Sequence, residues 1–293
     1  MRKLLALLAA LFVLISMASC GRPQNDVDIL TTTAPVYTFT AALCAGTDLT
    51  VECLITENIS CLHDYTLQTS QMRAIEGASL LVISGAGLEE SFLDALPADG
   101  KMIDPSTGVE LLCGNDEHAH SDHGHDHHHE EDPHIWLAPQ NAMVMVYNIA
   151  DGLIGKYPKY QATFEENRKQ IIARLEALDI YGKAQLKDIA DRELITFHDG
   201  FAYLADAFDL HILHAIEEES GREAAASELI HLCNLVDEHQ LKVIFVEKSG
   251  SISAAEIISA ETGAQVYTLD MAMSGDYFTA MYHNIDTLKE ALG

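Results

Sequence analysis

YPKYQATFEENRKQIIARLEALDIYGKAQLKDI (157–189) places Phe164, Ile171, Ile172, Leu175, Leu178 and Leu186 on one helical face, with charges around the rest. Pro158 stands where a first turn would begin, and Gly182 is the one weak point. The spacing predicts a single helix of roughly 45 Å at 1.5 Å per residue. A helix of that length is a stiff connector, quite unlike a Gly/Ser linker. It divides the chain into two parts with the same rhythm.

Before it, DILTTT (28–33), LTVECLI (49–55) and SLLVISGAG (79–87) are strand-like, while SQMRAIEGA (70–78) and LEESFLDAL (88–96) are helical. A further helix begins near Asn141 and Ala142. After it, RELITFH (192–198), LHILHAI (210–216), LKVIFVEK (241–248) and AQVYTLD (264–270) alternate with helices at 200–209, 223–239, 253–262 and 277–292. Strands of unbroken apolar residues fit parallel sheets covered on both faces, and the alternation implies βαβ units. The fold class is therefore α/β: two similar lobes, each a mostly parallel four-stranded sheet flanked by helices, joined by one long rigid helix. The lobes are residues 28–156 and 190–293, with the connector at 157–189. No fixed-period repeat is present.

The 293 residues carry 45 acids against 17 bases, a formal charge of −28. That balance repels phosphate backbones and excludes nucleic-acid binding, while it attracts cations. Residues 1–19 read as a secretory signal: Arg2 and Lys3, then an apolar run from Leu4 to Ile15 too short for a stable membrane anchor, then small residues. MASCG resembles a bacterial lipobox, with Met17 where leucine is commoner, so Cys20 would become the lipidated first residue, with 20–27 as a tether. Loss of Arg2 and Lys3 leaves a mature charge of about −30. Cys44, Cys53, Cys61, Cys113 and Cys233 form no CxxC pair, so a cysteine zinc finger is not expected. Their pairing is not legible, although a Cys53–Cys61 bridge would clip the loop around His63.

Residues 116–132 hold seven histidines, His118, His120, His123, His125, His127, His128 and His129, among acids and without an apolar anchor. Such a run is low in complexity, and wrapping an ion would cost it conformational entropy. It predicts weak, auxiliary metal binding. Four other positions are stronger. In a doubly wound sheet ligands bind beyond the carboxyl ends of strands. His198 follows ELITF, Asp270 follows QVYTL, His63 lies a short loop beyond LTVECLI, and His134 follows the histidine run after Pro133. Three imidazoles and a carboxylate suit a borderline cation such as Zn²⁺. Taken singly, each has a plainer reading, as a hydrogen-bonded loop residue or, for Asp270, a helix cap.

HDYTLQTSQMRAIEGASLLVISGAGLEESFLDAL, DPHIWLAPQNA, TFHDGFAYLADAFDL, VIFVEKSGSISAAEIISAETGAQVYTLD and YFTAMYHNIDTLKEAL, in that order, resemble the zinc-specific branch of the cluster A-I (cluster 9) substrate-binding lipoproteins of ABC transporters. The resemblance covers nearly all of residues 28–293 and includes the histidine-rich insertion. It implies a metal held in the cleft between two lobes by His63, His134, His198 and Asp270. Manganese-specific relatives offer a carboxylate at the position of His198, so an imidazole there favours Zn²⁺ over Mn²⁺ or Fe²⁺. The implied function is capture of zinc outside the cytoplasm by a monomer lipid-anchored to the bacterial cell membrane at Cys20, for delivery to a membrane ABC permease. It is not an enzyme on this reading: four protein ligands would close the shell, and no HExxH motif is present. A secreted zinc hydrolase and a zinc-stabilised adhesin are the alternatives.

The chain departs from the family pattern in having Leu62 before the first histidine and no proline in YTLQTS. VEKSGSIS also lacks the usual proline, at a place expected to lie away from the ligands. Asp199 is either a partner that orients an imidazole or the N-cap of the helix after it. His211, His214, His231, His239 and His283 are expected to be structural or surface residues, and EEES (217–220) a solvated acidic loop. Because ligating imidazoles must be neutral, capture should weaken as pH falls through roughly 6.5.

Overall fold

The computed structural model describes residues 27–57, 62, 65–97, 100–112, 131–215 and 225–293. The signal segment, Cys20, His63 and the seven clustered histidines lie outside the described residues.

The first sheet comprises β1 (Ile29–Thr31), β2 (Val51–Cys53), β3 (Leu80–Val82) and β4 (Met102–Ile103), all parallel, in the order β2-β1-β3-β4. The second comprises β5 (Glu193–Phe197), β6 (His211–Ala215), β7 (Val243–Glu247) and β8 (Gln265–Leu269), also parallel, in the order β6-β5-β7-β8. The two orders are the same topology. In each, the strand order reverses between the two inner strands, and those strands are the apolar ones. β1 and β3 are buried throughout, as is β7, while the edge strand β2 is partly exposed. Inner strands covered on both faces account for the unbroken apolar runs.

In sequence order the helices are α1 (Ala34–Leu43), α2 (Thr69–Gly77), α3 (Pro139–Lys156), α4 (Gln161–Gln185), α5 (Ala202–Ala207), α6 (Ala226–His239), α7 (Ser253–Thr262) and α8 (Tyr277–Leu292). Proline at a helix start needs no amide partner, which suits Pro35 in α1 and Pro139 in α3. Asp276 caps α8 by accepting from the Thr279 amide at 2.9 Å and its hydroxyl at 2.8 Å. Residues 88–96, expected to be an ordinary helix, form a 3₁₀ segment at Glu90–Ala95.

The connector is α4, shorter than the sequence pattern suggested. A 3₁₀ turn at Pro158–Tyr160 precedes it, and its 25 residues span about 38 Å. Gly182 turns out to be a packing requirement: a Cβ there would lie 2.2 Å from the Phe208 ring and 3.1 Å from Ile285. The connector can approach the second lobe this closely only without a side chain.

Side chains along β5 and β7 alternate between two cores. Leu194, Val243 and Phe245 face a core continuous with the first lobe, and Ile195, Phe197, Ile244 and Val246 face a separate one with α6 and α7. The continuous core runs through the lobe junction. There Phe39 of α1 meets Tyr277 of α8 with ring centroids 4.8 Å apart. The Tyr277 hydroxyl donates to the Trp136 carbonyl, and the Trp136 indole donates to the Met271 carbonyl, both at 2.8 Å. Trp136 and Tyr277 are fully buried. Parting the lobes would expose rings whose burial is worth about 2–3 kcal/mol each, so the junction is stiff.

Cys53 is a free thiol whose Sγ lies 3.2 Å from the Ile55 carbonyl, so it is not held in a bridge to Cys61, which is outside the described residues. Cys44 and Cys233 are likewise free. No described helix is long and apolar enough to cross a membrane.

Candidate metal centre

His134 sits in the turn before Ile135–Leu137, and it is 2 % exposed. Asp132 fixes it twice: Oδ1 accepts from the His134 backbone amide at 2.8 Å and lies 2.7 Å from Nδ1. A carboxylate against Nδ1 places the proton on that nitrogen and leaves Nε2 with its lone pair. Asp132 is itself held, its carbonyl accepting from the Tyr203 hydroxyl at 3.0 Å. Pro133 between them favours the extended conformation at Asp132. The sequence signal was the acid two positions before the histidine in DPH, whose orienting role the motif match did not reveal.

His198 follows the carboxyl end of β5. Its ring meets that of His134 edge to face, with centroids 5.4 Å apart at 79°. The approach depends on Gly200, where a Cβ would fall 2.8 Å from both His134 Nδ1 and His198 Cδ2, and 2.5 Å from Met271 Cε. Two imidazoles separated by 64 residues are thus brought together at the lobe junction. Asp199 is not the cap of the following helix, since Phe201 holds that position in α5.

Asp270 follows β8 and is 6 % exposed. Asn284 of α8 grips its backbone, accepting from its amide at 2.8 Å and donating to its carbonyl at 2.7 Å. Of its carboxylate oxygens, Oδ1 accepts from the Ala272 amide and Oδ2 from Lys248 Nζ, each at 2.8 Å. VEKSGSIS was expected to lie away from the ligand positions. The structure corrects this, because parallel pairing of β7 with β8 sets the ends of the two strands side by side.

Glu247, the last residue of β7, is a functional candidate that sequence reasoning missed. It is 3 % exposed, and burial is the main reason its carboxyl is pushed up to about 7. Hydrogen bonds from Ser249 and the nearby His134 ring oppose that rise, and the Asp270 carboxylate adds to it. Glu247 therefore sits within the field of both. Its Oε2 has no hydrogen-bond partner among the described residues.

His63 lies outside the described residues, but the residue before it is anchored: Leu62 is buried, and its carbonyl accepts from the Tyr65 amide and the Ser91 hydroxyl, both at 3.0 Å. Among the described residues no group of three or more His, Cys, Asp or Glu side chains stands in metal-holding geometry. The structure brings His134 and His198 together and sets Asp270 against Lys248. Of the remaining histidines, His239 contacts Glu193 at 2.9 Å, and His214 stacks edge to face on His231.

Two parallel sheets of one topology, a long helix between them and paired imidazoles at their junction define a two-lobed α/β binding protein. The chain belongs to the ZnuA family: the model for zinc-uptake complex component A, periplasmic, matches residues 29–291. It is 31% identical to the zinc-binding lipoprotein AdcA of Streptococcus pneumoniae serotype 4 over 99% of its own length and 61% of that protein, so the chain spans about three-fifths of that relative. It is 29% identical to the high-affinity zinc uptake system protein ZnuA of Bacillus subtilis strain 168, over 98% of this chain and 97% of that one. A crystal structure of ZnuA superposes with a TM-score of 0.79 at 27% identity, covering 92% of this chain and all of the other.

Proposed function

We propose that the protein is an extracytoplasmic zinc-binding protein that captures Zn²⁺ at the lobe junction and delivers it to a membrane ABC permease. The observation that carries this reading is the His134–His198 pair, with Asp132 holding one imidazole in the tautomer a metal needs. His63 and Asp270 complete the ligand set. Donors rich in imidazole favour Zn²⁺ over the harder Mn²⁺ and Fe²⁺. The relatives named as zinc-binding and zinc-uptake proteins support the same cargo. Cys20 is the lipid anchor that keeps the monomer at the membrane, and His118–His129 form a weaker collector upstream of His134.

A chelator competition titration of the mature protein tests the reading. One tight Zn²⁺ equivalent is expected, displaced poorly by Mn²⁺, with weaker further equivalents from the histidine run. His134→Ala or His198→Ala should weaken the tight site by more than the roughly 10–100-fold that loss of an outer partner costs. Unchanged affinity in either variant rejects the site.

One feature favours the hydrolase alternative: Glu247, buried within electrostatic reach of His134 and pushed up to about 7, has the character of a general base. Turnover of activated esters by the zinc-loaded protein, lost in Glu247→Gln, would establish that reading in place of transport.

A further inference from the structure

Asp270 has two carboxylate oxygens, and both are occupied within the protein. Oδ1 accepts from the Ala272 amide, a contact fixed by the backbone. Oδ2 accepts from Lys248 Nζ, whose side chain is 51 % exposed and reaches the carboxylate from the solvent side. The two contacts differ in how readily they yield. An amide in a turn cannot leave without refolding the turn, whereas a lysine on a flexible four-carbon stem can swing into water. A partly exposed ion pair is also weak enough to be exchanged.

We propose that Lys248 is an affinity-determining residue: its ammonium competes with the incoming cation for Oδ2 of Asp270 and thereby sets how tightly zinc is held and how fast it leaves. In the exchange the Nζ–H···Oδ2 hydrogen bond breaks and a Zn–Oδ2 bond forms. The ammonium keeps its proton and turns to solvent, and on release it returns to the same oxygen. An ammonium tethered beside a dication also repels it, which adds to the competition. A site built only to hold metal would gain from a neutral residue here. A site that must give its metal up gains from a cation waiting at the ligand.

The inference rests on the zinc-capture reading above. Its test is Lys248→Met in the chelator competition titration, together with the dissociation rate read after mixing loaded protein with excess chelator. Lys248→Met, which keeps most of the side chain's length and removes its charge, should tighten zinc binding by up to about fivefold and slow dissociation correspondingly. Lys248→Arg should restore values near wild type. In an Asp270→Asn background the effect of Lys248→Met should shrink to what direct repulsion of the cation supplies. Unchanged or weaker binding in Lys248→Met overturns the inference, as does a full effect that persists without the Asp270 carboxylate. His134→Ala, run alongside, separates the two claims. If it leaves zinc binding intact, the capture site itself is wrong; if it abolishes binding while Lys248→Met changes nothing, only the role of Lys248 falls.

Discussion

The carboxyl edges of the two sheets share one topology and handle buried acids in opposite ways. In the first lobe Glu89 is 2 % exposed and spends both oxygens inside the protein. It accepts from the Thr32 hydroxyl at 2.6 Å, the Ser84 amide at 2.7 Å and the Gly85 amide at 3.1 Å. Burial still raises its pKa, but three donors oppose the rise. At the second edge and the junction beside it, Glu247 and Asp132 are as deeply buried, yet each keeps one oxygen with no hydrogen-bond partner among the described residues. Asp270 gives an oxygen to a half-exposed lysine. A repeated fold thus carries a closed, structural edge in one copy, while the unspent acceptors lie at the other copy's edge, at Glu247, and at the lobe junction, at Asp132. Buried acceptors without donors cost free energy, and that cost falls on residues next to the proposed zinc ligands, Asp132 in the chain and Glu247 across the pairing of β7 with β8.

The largest test of the contrast is Glu247→Gln. A carboxyl raised from 4.5 to about 7 binds more protons folded than unfolded, so its contribution to stability declines as pH rises from 4.5 to 7 and stays low above that. In chelator, the variant should match wild type near pH 4.5 and exceed it by about 3 kcal/mol above pH 7. Urea unfolding at the two pH values reads this, and a gap that does not depend on pH would show that Glu247 is not strained. Next comes Asp132→Asn. Loss of the carboxylate that orients His134 should weaken zinc binding by about 10–100-fold while changing thermal stability little; equal affinity would assign Asp132 to the fold alone. The smallest effect is expected at the closed edge. Thr32→Val removes one donor to Glu89 and should cost about 1 kcal/mol of stability, and titration should find zinc affinity unaltered. A fall in affinity there would mean the two edges are not independent.

Much of the fold was legible because burial on both faces leaves an apolar run that sequence alone displays. LKVIFVEK and RELITFH contain β7 and β5, and the last helix, YFTAMYHNIDTLKEAL, was placed to the residue. Two elements were not foreseen. APVYTFTAAL (α1) has no charged residue, so it shows no polar face against which to recognise a helix, and β4 is only two residues long. The candidate site divides in a similar way. DPH and TFHD pointed to His134 and His198 through local motifs, whereas Glu247 and Lys248 sit beside Asp270 only because β7 pairs with β8, 22 residues apart in the chain.

By itself the sequence determined the lobes, the connector and the residue types that suit a cation, since local patterning and composition are properties of neighbours along the chain. The tertiary structure decided which groups meet. It showed Gly182 and Gly200 to be clearances of less than one methyl group, Asp132 to be the residue that holds His134, and Lys248 to be the cation already at the carboxylate. Those relations depend on distances across strand pairs and the lobe junction, which no local pattern encodes.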